Sequence, residues 1–255
     1  MAKAIILGDA YNSTNTIELY KQNRKTSILE ELHKRTTITA SAMDSSYNAP
    51  IDLSWVKFAA GHYNISPNLK DYIVVRIPAL TSDIPNRNMQ GFMTKTLFEF
   101  DPEYGCQRYK TFMGRPVCKN HNNKNLRDAQ GIVVDVSVVP VPKYKVVKVF
   151  LLALIDRTKC TIVDSVLRFG GVYSMGALNG VFQCSVCGGV LGPECQRTCT
   201  CYHSDFKDVR SYGGIFNGRL HYVSACNPIF GEISILSEAP ADYSAVGDFI
   251  DMKLK

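Results

Sequence analysis

Two apolar runs, GIVVDVSVVPV from Gly131 and YKVVKVFLLALID from Tyr144, stand almost end to end and restrict the fold more than any other feature of the chain. Their β-branched residues favour extended backbone, and Pro140 and Pro142 break the run where a reversal is needed. They read as neighbouring antiparallel strands. YIVVRIPAL (Tyr72–Leu80) is a further strand, closed by the turn chemistry of SDIPNRN. FMTKTLFEF (Phe92–Phe100) reads as a short helix, and GGIFNGRLHYVSA and IFGEISIL as two more strands. In TKCTIVDSVLRFGG, Ile162, Val163, Val166 and Leu167 share a helical face, with Gly170 or Gly171 as the stop. Ser174 therefore comes just after a helix end, at the start of the next strand. The expected class is α+β, with a β-rich core, a few helices and a small cysteine-rich insert.

The first quarter reads differently. Thr16 to about Arg35 has a helical pattern, with Ser27 and Glu30 as a capping box before Ile28, Leu29 and Leu32. Residues 36–70 are polar and rich in Asn and Ser, and the expectation there is loops. The chain divides into an accessory, propeptide-like segment over 1–65 and a main domain over 66–255. A length of 255 residues is enough for a sizeable core. The net charge of +6 is mild, and much of it sits in KQNRKTSILEELHKR. That stretch is either a solvated helix face or a basic arm for an acidic partner. No apolar run is long enough for a bilayer crossing, and MAKAIILGDAYNST lacks the layout of a signal peptide. The expected location is a cytoplasm, with no membrane partner.

Nine cysteines are present, and five of them fall between Cys184 and Cys201. In a reducing compartment such clustering points to metal ligation rather than to a disulfide framework. A Cys-x-x-Cys turn presents two thiolates to one ion, and Gly188 and Gly189 permit it. A second pair about a dozen residues on would complete a tetrahedron, as in structural zinc sites. Cys195, Cys199, Cys201 and His203 all compete for those two places. A redox dithiol is the rival reading, but the βαβ context that such motifs favour is missing.

His121 lies in an Asn-rich turn just before a strand, where a polar loop can present a general base. Taken singly, His121 reads as a surface residue and Ser174 as a strand-entry serine bonded to nearby backbone. SMGA is not the G-x-S-x-G elbow of the hydrolases.

Taken together the pieces carry more. The succession runs from the NRN turn through TFMGRPVCKNHNN, AQGIVVDV, LLALIDR and GVYSMGA to CSVCG and FGEISILSEAPAD. From about Tyr72 to Ala245 it resembles the prohead maturation serine proteases of tailed bacteriophages, relatives in fold of the herpesvirus assemblins. The resemblance implies an assemblin-like antiparallel barrel flanked by helices. It implies His121 as base, Ser174 as nucleophile and an acidic third member. Glu232 is the choice for that place, with Asp242 and His203 in reserve. Its competing reading is a strand carboxylate facing water. Some phage relatives carry a Cys-x-x-Cys followed by Cys-x-His, which maps a zinc set onto Cys184, Cys187, Cys201 and His203 within an insert spanning 184–203. Two departures stand out: NRNMQGF lacks the Gly-Asp frequent after this turn, and Tyr173 replaces a small aliphatic residue beside the serine.

By the same resemblance the substrates are capsid and scaffold proteins, cleaved inside the assembling prohead in a host cytoplasm. A homodimer is compatible with it, and SEAPAD is a candidate self-cleavage region. Two other readings stay open: an inactive structural head protein with the same fold, and a zinc-ribbon module binding nucleic acid. The second predicts basic residues across the insert, yet Arg197 is the only one before Lys207.

Overall fold

The computed structural model describes residues 5–7, 56–164, 166, 171–201, 214–216, 218–236 and 248–250. The expected helix over Thr16–Arg35, the basic stretch, His203 and the SEAPAD segment with Asp242 lie outside these residues.

In chain order the first strands are β1 (Ile5–Leu7), β2 (Tyr72–Thr81), β3 (Gln90–Phe92), β4 (Phe100–Asp101), β5 (Cys106–Gln107) and β6 (Pro116–Lys119). The long pair follows as β7 (Gly131–Val141) and β8 (Val146–Asp156). Then come β9 (Val172–Asn179), β10 (Phe182–Cys184), β11 (Val190–Leu191), β12 (Ile215–Phe216) and β13 (Arg219–Leu220). The last are β14 (Val223–Ala225), β15 (Ile229–Leu236) and β16 (Asp248–Ile250). The α-helices are α1 (Val56–Tyr63) and α2 (Thr94–Phe98).

Eight strands form one sheet in the order β1-β9-β15-β6-β7-β8-β2-β16, curled as a half-barrel. The contacts are antiparallel except where β6 runs parallel to β15. A smaller sheet has the order β11-β10-β14-β3. The two long runs pair antiparallel, from Gly131 opposite Ile155 to Val141 opposite Val146, as their composition predicts.

The central strands are buried on both faces, because successive side chains point to opposite sides of a sheet. Ile73, Val75 and Ile77 of β2 and Leu151, Ala153 and Ile155 of β8 enter the core that also holds Phe92, Phe182, Leu191 and Val223 of the smaller sheet. The alternate residues, Tyr72, Val74, Leu152 and Leu154, enter a second core on the opposite face, covered by α1. A bulge between Val133 and Asp135 leaves Asp135 fully buried in β7. Its Oδ1 accepts from the Val136 N–H at 2.8 Å, whereas Oδ2 has no hydrogen-bond partner. Burial pushes this carboxyl up to about 6, against the partial relief of the Val136 N–H and Lys110.

Helix α1 corrects the expectation of loops over 36–70. Among its described side chains, Val56, Ala59, Ala60 and Tyr63 are buried, the i, i+3, i+4, i+7 stripe of an amphipathic helix. Two of the four are alanines, so the stripe is weak in hydrophobicity while regular in spacing. Tyr63 donates its hydroxyl to the Gly114 carbonyl at 2.8 Å, which ties the helix to the segment leading into β6. The stretch expected as one strand in GGIFNGRLHYVSA is instead β12, β13 and β14, with β12 and β13 forming a two-stranded ribbon. Among the described residues no helix is long and apolar enough to cross a membrane.

Candidate functional site

Period-two alternation decides where the candidate residues point. Tyr173, Met175 and Ala177 of β9 and Ile233 and Ile235 of β15 all enter the core beneath the smaller sheet. Ser174, Glu232 and Ser234 must then project from the opposite face. The register agrees, with Ser174 opposite Ser234 and Gly176 opposite Glu232. On the other side of β15, Cys118 of β6 stands opposite the same Ser234. Directly paired residues on neighbouring strands share a face and have Cα atoms about 4.5–5.5 Å apart. One patch of a three-stranded surface therefore gathers two hydroxyls, a carboxylate and a thiol.

His121 joins this patch from the loop after β6. Asn120 and His121 both take left-handed backbone, with φ of 48° and 56°. Such geometry is uncommon outside glycine, though Asn and His tolerate it better than most. The turn is pinned at several points: Asn120 N–H donates to the Ile235 carbonyl at 2.9 Å, and Asn122 N–H to Lys119 at 2.9 Å. The His121 N–H donates to Ser234 Oγ at 3.0 Å. Two consecutive left-handed residues fold the chain back over β15, which brings the imidazole to Glu232.

His121 Nδ1 and Glu232 Oε1 are 2.7 Å apart, with side-chain exposures of 13% and 1%. An ionised carboxylate only accepts, so Nδ1 carries the proton in this contact, and in the neutral ring the lone pair falls on Nε2. Glu232 Oε2 accepts the Ser234 hydroxyl at 2.5 Å. Burial, and then the charge and hydrogen bond of Glu232, hold the Cys118 thiol well above its usual range, so it stays protonated. Glu232 is thus buried and engaged on both oxygens, which sets aside the picture of a strand carboxylate facing water. Ser174 lies on the adjoining strand, 7% exposed. An imidazole held by a carboxylate at one nitrogen, with a serine on the same face one strand away, has the parts of a nucleophile–base–acid relay.

The thiol cluster is built on the other side of the sheet. Strand β10 ends at Cys184, and a tight turn follows, with Gly188 N–H donating to the Cys184 carbonyl at 3.0 Å and Cys184 N–H to Gly189 at 2.9 Å. Gly188 has a φ of +70°, and a Cβ on Gly189 would lie 2.6 Å from the Cys199 Cα, so only glycine lets the two loops meet. Backbone N–H groups of Val186 and Gly189 point at the Cys184 and Cys187 sulfurs, each at 3.4 Å. The sulfurs of Cys184, Cys187, Cys199 and Cys201 all lie within 4.8 Å of one another, and those of Cys187 and Cys199 are 3.6 Å apart. A tetrahedron with metal–sulfur bonds of about 2.3 Å has edges of about 3.8 Å, so four thiolates in this arrangement could hold one ion.

The thiols perturb one another. Burial would raise Cys187, but the N–H groups of Gly189 and Thr200 and the thiols of Cys199 and Cys201 bring it down to about 6. Cys199 rises to about 12, through burial and then its bond to Cys187. One low thiol among raised neighbours is the signature of groups competing for shared protons, which a cation would displace.

Of the four residues assigned to zinc from the sequence, the structure brings together Cys184, Cys187 and Cys201. Cys199 takes a fourth place, and His203 lies outside the described residues. Cys195 stands apart, its sulfur directed to the Gly192 carbonyl at 3.8 Å. Cys184 and Cys199 belong to the core on the face opposite Ser174, so the cluster and the serine lie on opposite sides of the large sheet. Sequence reasoning passed over Ser234, although Glu and Ser two apart on a strand must share a face. Comparison of the chain with protein-family models, with curated proteins and with solved structures gives no match.

Proposed function

We propose that this chain is a serine endopeptidase of the prohead-maturation type, with Ser174 as nucleophile, His121 as general base and Glu232 as the orienting acid. The supporting observation is the 2.7 Å contact of His121 Nδ1 with a buried Glu232, beside a serine in register on the next strand. In this reading Ser174 Oγ attacks the scissile carbonyl carbon while His121 Nε2 takes its proton. The tetrahedral intermediate collapses, the C–N bond breaks, and His121 returns the proton to the leaving amine. Water, activated by the same nitrogen, then attacks the acyl-enzyme and frees Ser174. Glu232 keeps the ring in one tautomer and stabilises the imidazolium that forms at each step.

Substrates are scaffold and capsid proteins, met inside the assembling prohead. The four thiols hold a structural zinc ion, a closed site that takes no part in the chemistry. Zinc supplies folding energy to the loops that follow β10, and the residues that bind it are Cys184, Cys187, Cys199 and Cys201.

Ser174→Ala tests the reading. Co-expressed with scaffold and capsid proteins, the wild type cleaves them, and the variant folds normally and leaves them intact. A loss of at least about 10³-fold is expected for removal of the nucleophile. Cleavage retained by the variant overturns the assignment.

A further inference from the structure

Ser234 sits at the centre of the candidate relay without belonging to it. Its Oγ accepts the main-chain N–H of His121 at 3.0 Å, and its hydroxyl proton goes to Glu232 Oε2 at 2.5 Å. A serine hydroxyl has one proton to give and lone pairs to receive, and here both uses fall within a single ring of contacts. The ring runs from His121 N–H to Ser234, to Glu232, and back to His121 through Nδ1. One side chain fixes both the backbone that carries the imidazole and the carboxylate that orients it.

The need for such a brace follows from the backbone. His121 occupies left-handed φ of 56° directly after Asn120 at 48°. A conformation of this kind is uncommon for non-glycine residues and persists where its surroundings impose it. Ser234 is fully buried and sits on β15 between β9 and β6, so it has no rotational freedom to lose and no water to compete for its bonds. Without it, the His121 N–H loses this acceptor and Glu232 Oε2 loses a buried donor. The turn can then relax toward ordinary backbone and carry the ring away from the carboxylate.

We infer that Ser234 is a positioning residue for the His121–Glu232 pair, acting through the backbone of His121 and the second oxygen of Glu232 and making no contact with substrate. This rests on the protease reading for its functional consequence, whereas the brace itself is a property of the folded chain.

The test separates the two. In the full-length protein, NMR reads the His121 amide, expected to be strongly protected from exchange, and the imidazole Nδ1–H, expected far downfield through its carboxylate partner. Ser234→Ala should lose both signatures. With a peptide copied from a cleavage site mapped on the wild type, kcat should fall on the order of 10²-fold while KM changes little. Ser234→Thr, which keeps the hydroxyl, should restore both signatures and rate. Ser234→Cys, close in shape and poor in hydrogen bonding, should behave like the alanine variant and serves if that variant fails to fold. The inference is overturned if Ser234→Cys or Ser234→Ala keeps the protected amide and the downfield proton. A wild type that shows both signatures yet cleaves nothing defeats the protease reading and leaves the brace standing.

Discussion

The two reactive clusters of this protein lie on opposite faces of one sheet and are held by different forces. On the α1 side, Ser174, Glu232 and Ser234 are placed by strand register, and His121 by a turn pinned to the end of β15. On the other side, Cys184, Cys187, Cys199 and Cys201 come from short strands and turns, tied by local hydrogen bonds such as Cys184 N–H to Gly189 and Cys199 N–H to Val190, and their four sulfurs could hold one metal ion. The first cluster is a consequence of the sheet. The second is a crossing of loops, where four thiols from separate turns come within reach of one ion. Polar groups can be positioned closely where backbone pairing has already removed the freedom of the chain, whereas irregular segments need a cross-link to reach the same order.

The sharpest way to break this contrast is at Glu232. Glu232→Gln preserves shape but leaves one carbonyl oxygen where two acceptors served His121 and Ser234. The amide can present its NH2 to Nδ1 and impose the wrong tautomer. A fall in kcat of about 10³–10⁴-fold is expected, with the fold intact by circular dichroism. A variant with near-native turnover would show that the sheet does not position a relay at all.

Metal removal probes the other face. If free zinc stands about 100 to 1,000 times above its dissociation constant, its contribution to stability is about 2.7 to 4.1 kcal/mol. Chelation should lower Tm accordingly and raise hydrogen exchange in β10 and β11 while β7 and β8 stay protected. Equal loosening of the long strands would mean that the cluster supports the whole fold rather than its own loops.

A smaller effect compares two buried carboxylates of the same sheet. Glu232 has an imidazole and a hydroxyl, while Asp135 has one backbone N–H and an unpartnered oxygen. Burial pushes the folded Asp135 carboxyl up to about 6, above its ordinary value of 3.8. The unfolded chain therefore gives up this proton first as pH rises. Stability from this group is complete below pH ~4, declines through pH ~4–6 and is gone above it. Asp135→Asn should accordingly stabilise the protein by about 1–3 kcal/mol at pH 7.5 and by almost nothing at pH 4. Urea unfolding at both pH values checks this, and a variant that is less stable at pH 7.5 would show that the carboxylate is favourably partnered.

Much of the sheet was legible in the chain. The β-branched runs of β7 and β8 announce themselves, as do YIVVRIPAL and IFGEISIL, because strand formation there is decided by residues adjacent in sequence. Helix α1 was not, since its Ala-rich stripe carries little hydrophobic contrast. The Cys-x-x-Cys turn was legible through its spacing and its two glycines. The choice of Cys199 was not, because the close approach of its loop to Gly189 joins segments that the sequence leaves independent.

Local chemistry alone therefore determined that the long β-branched runs are strands and that thiols gather after β10, whereas only the family resemblance grouped His121, Ser174 and Glu232. Tertiary structure alone decided that the His121 turn folds over β15, that Ser234 bridges the His121 backbone and Glu232, and that serine and cysteines occupy opposite faces. The physical reason is register. Side-chain direction along a strand follows from period two, but which residues of distant strands stand opposite one another is settled only when the whole sheet, with its bulges at Val133/Asp135 and Phe230/Glu232, closes its hydrogen bonds.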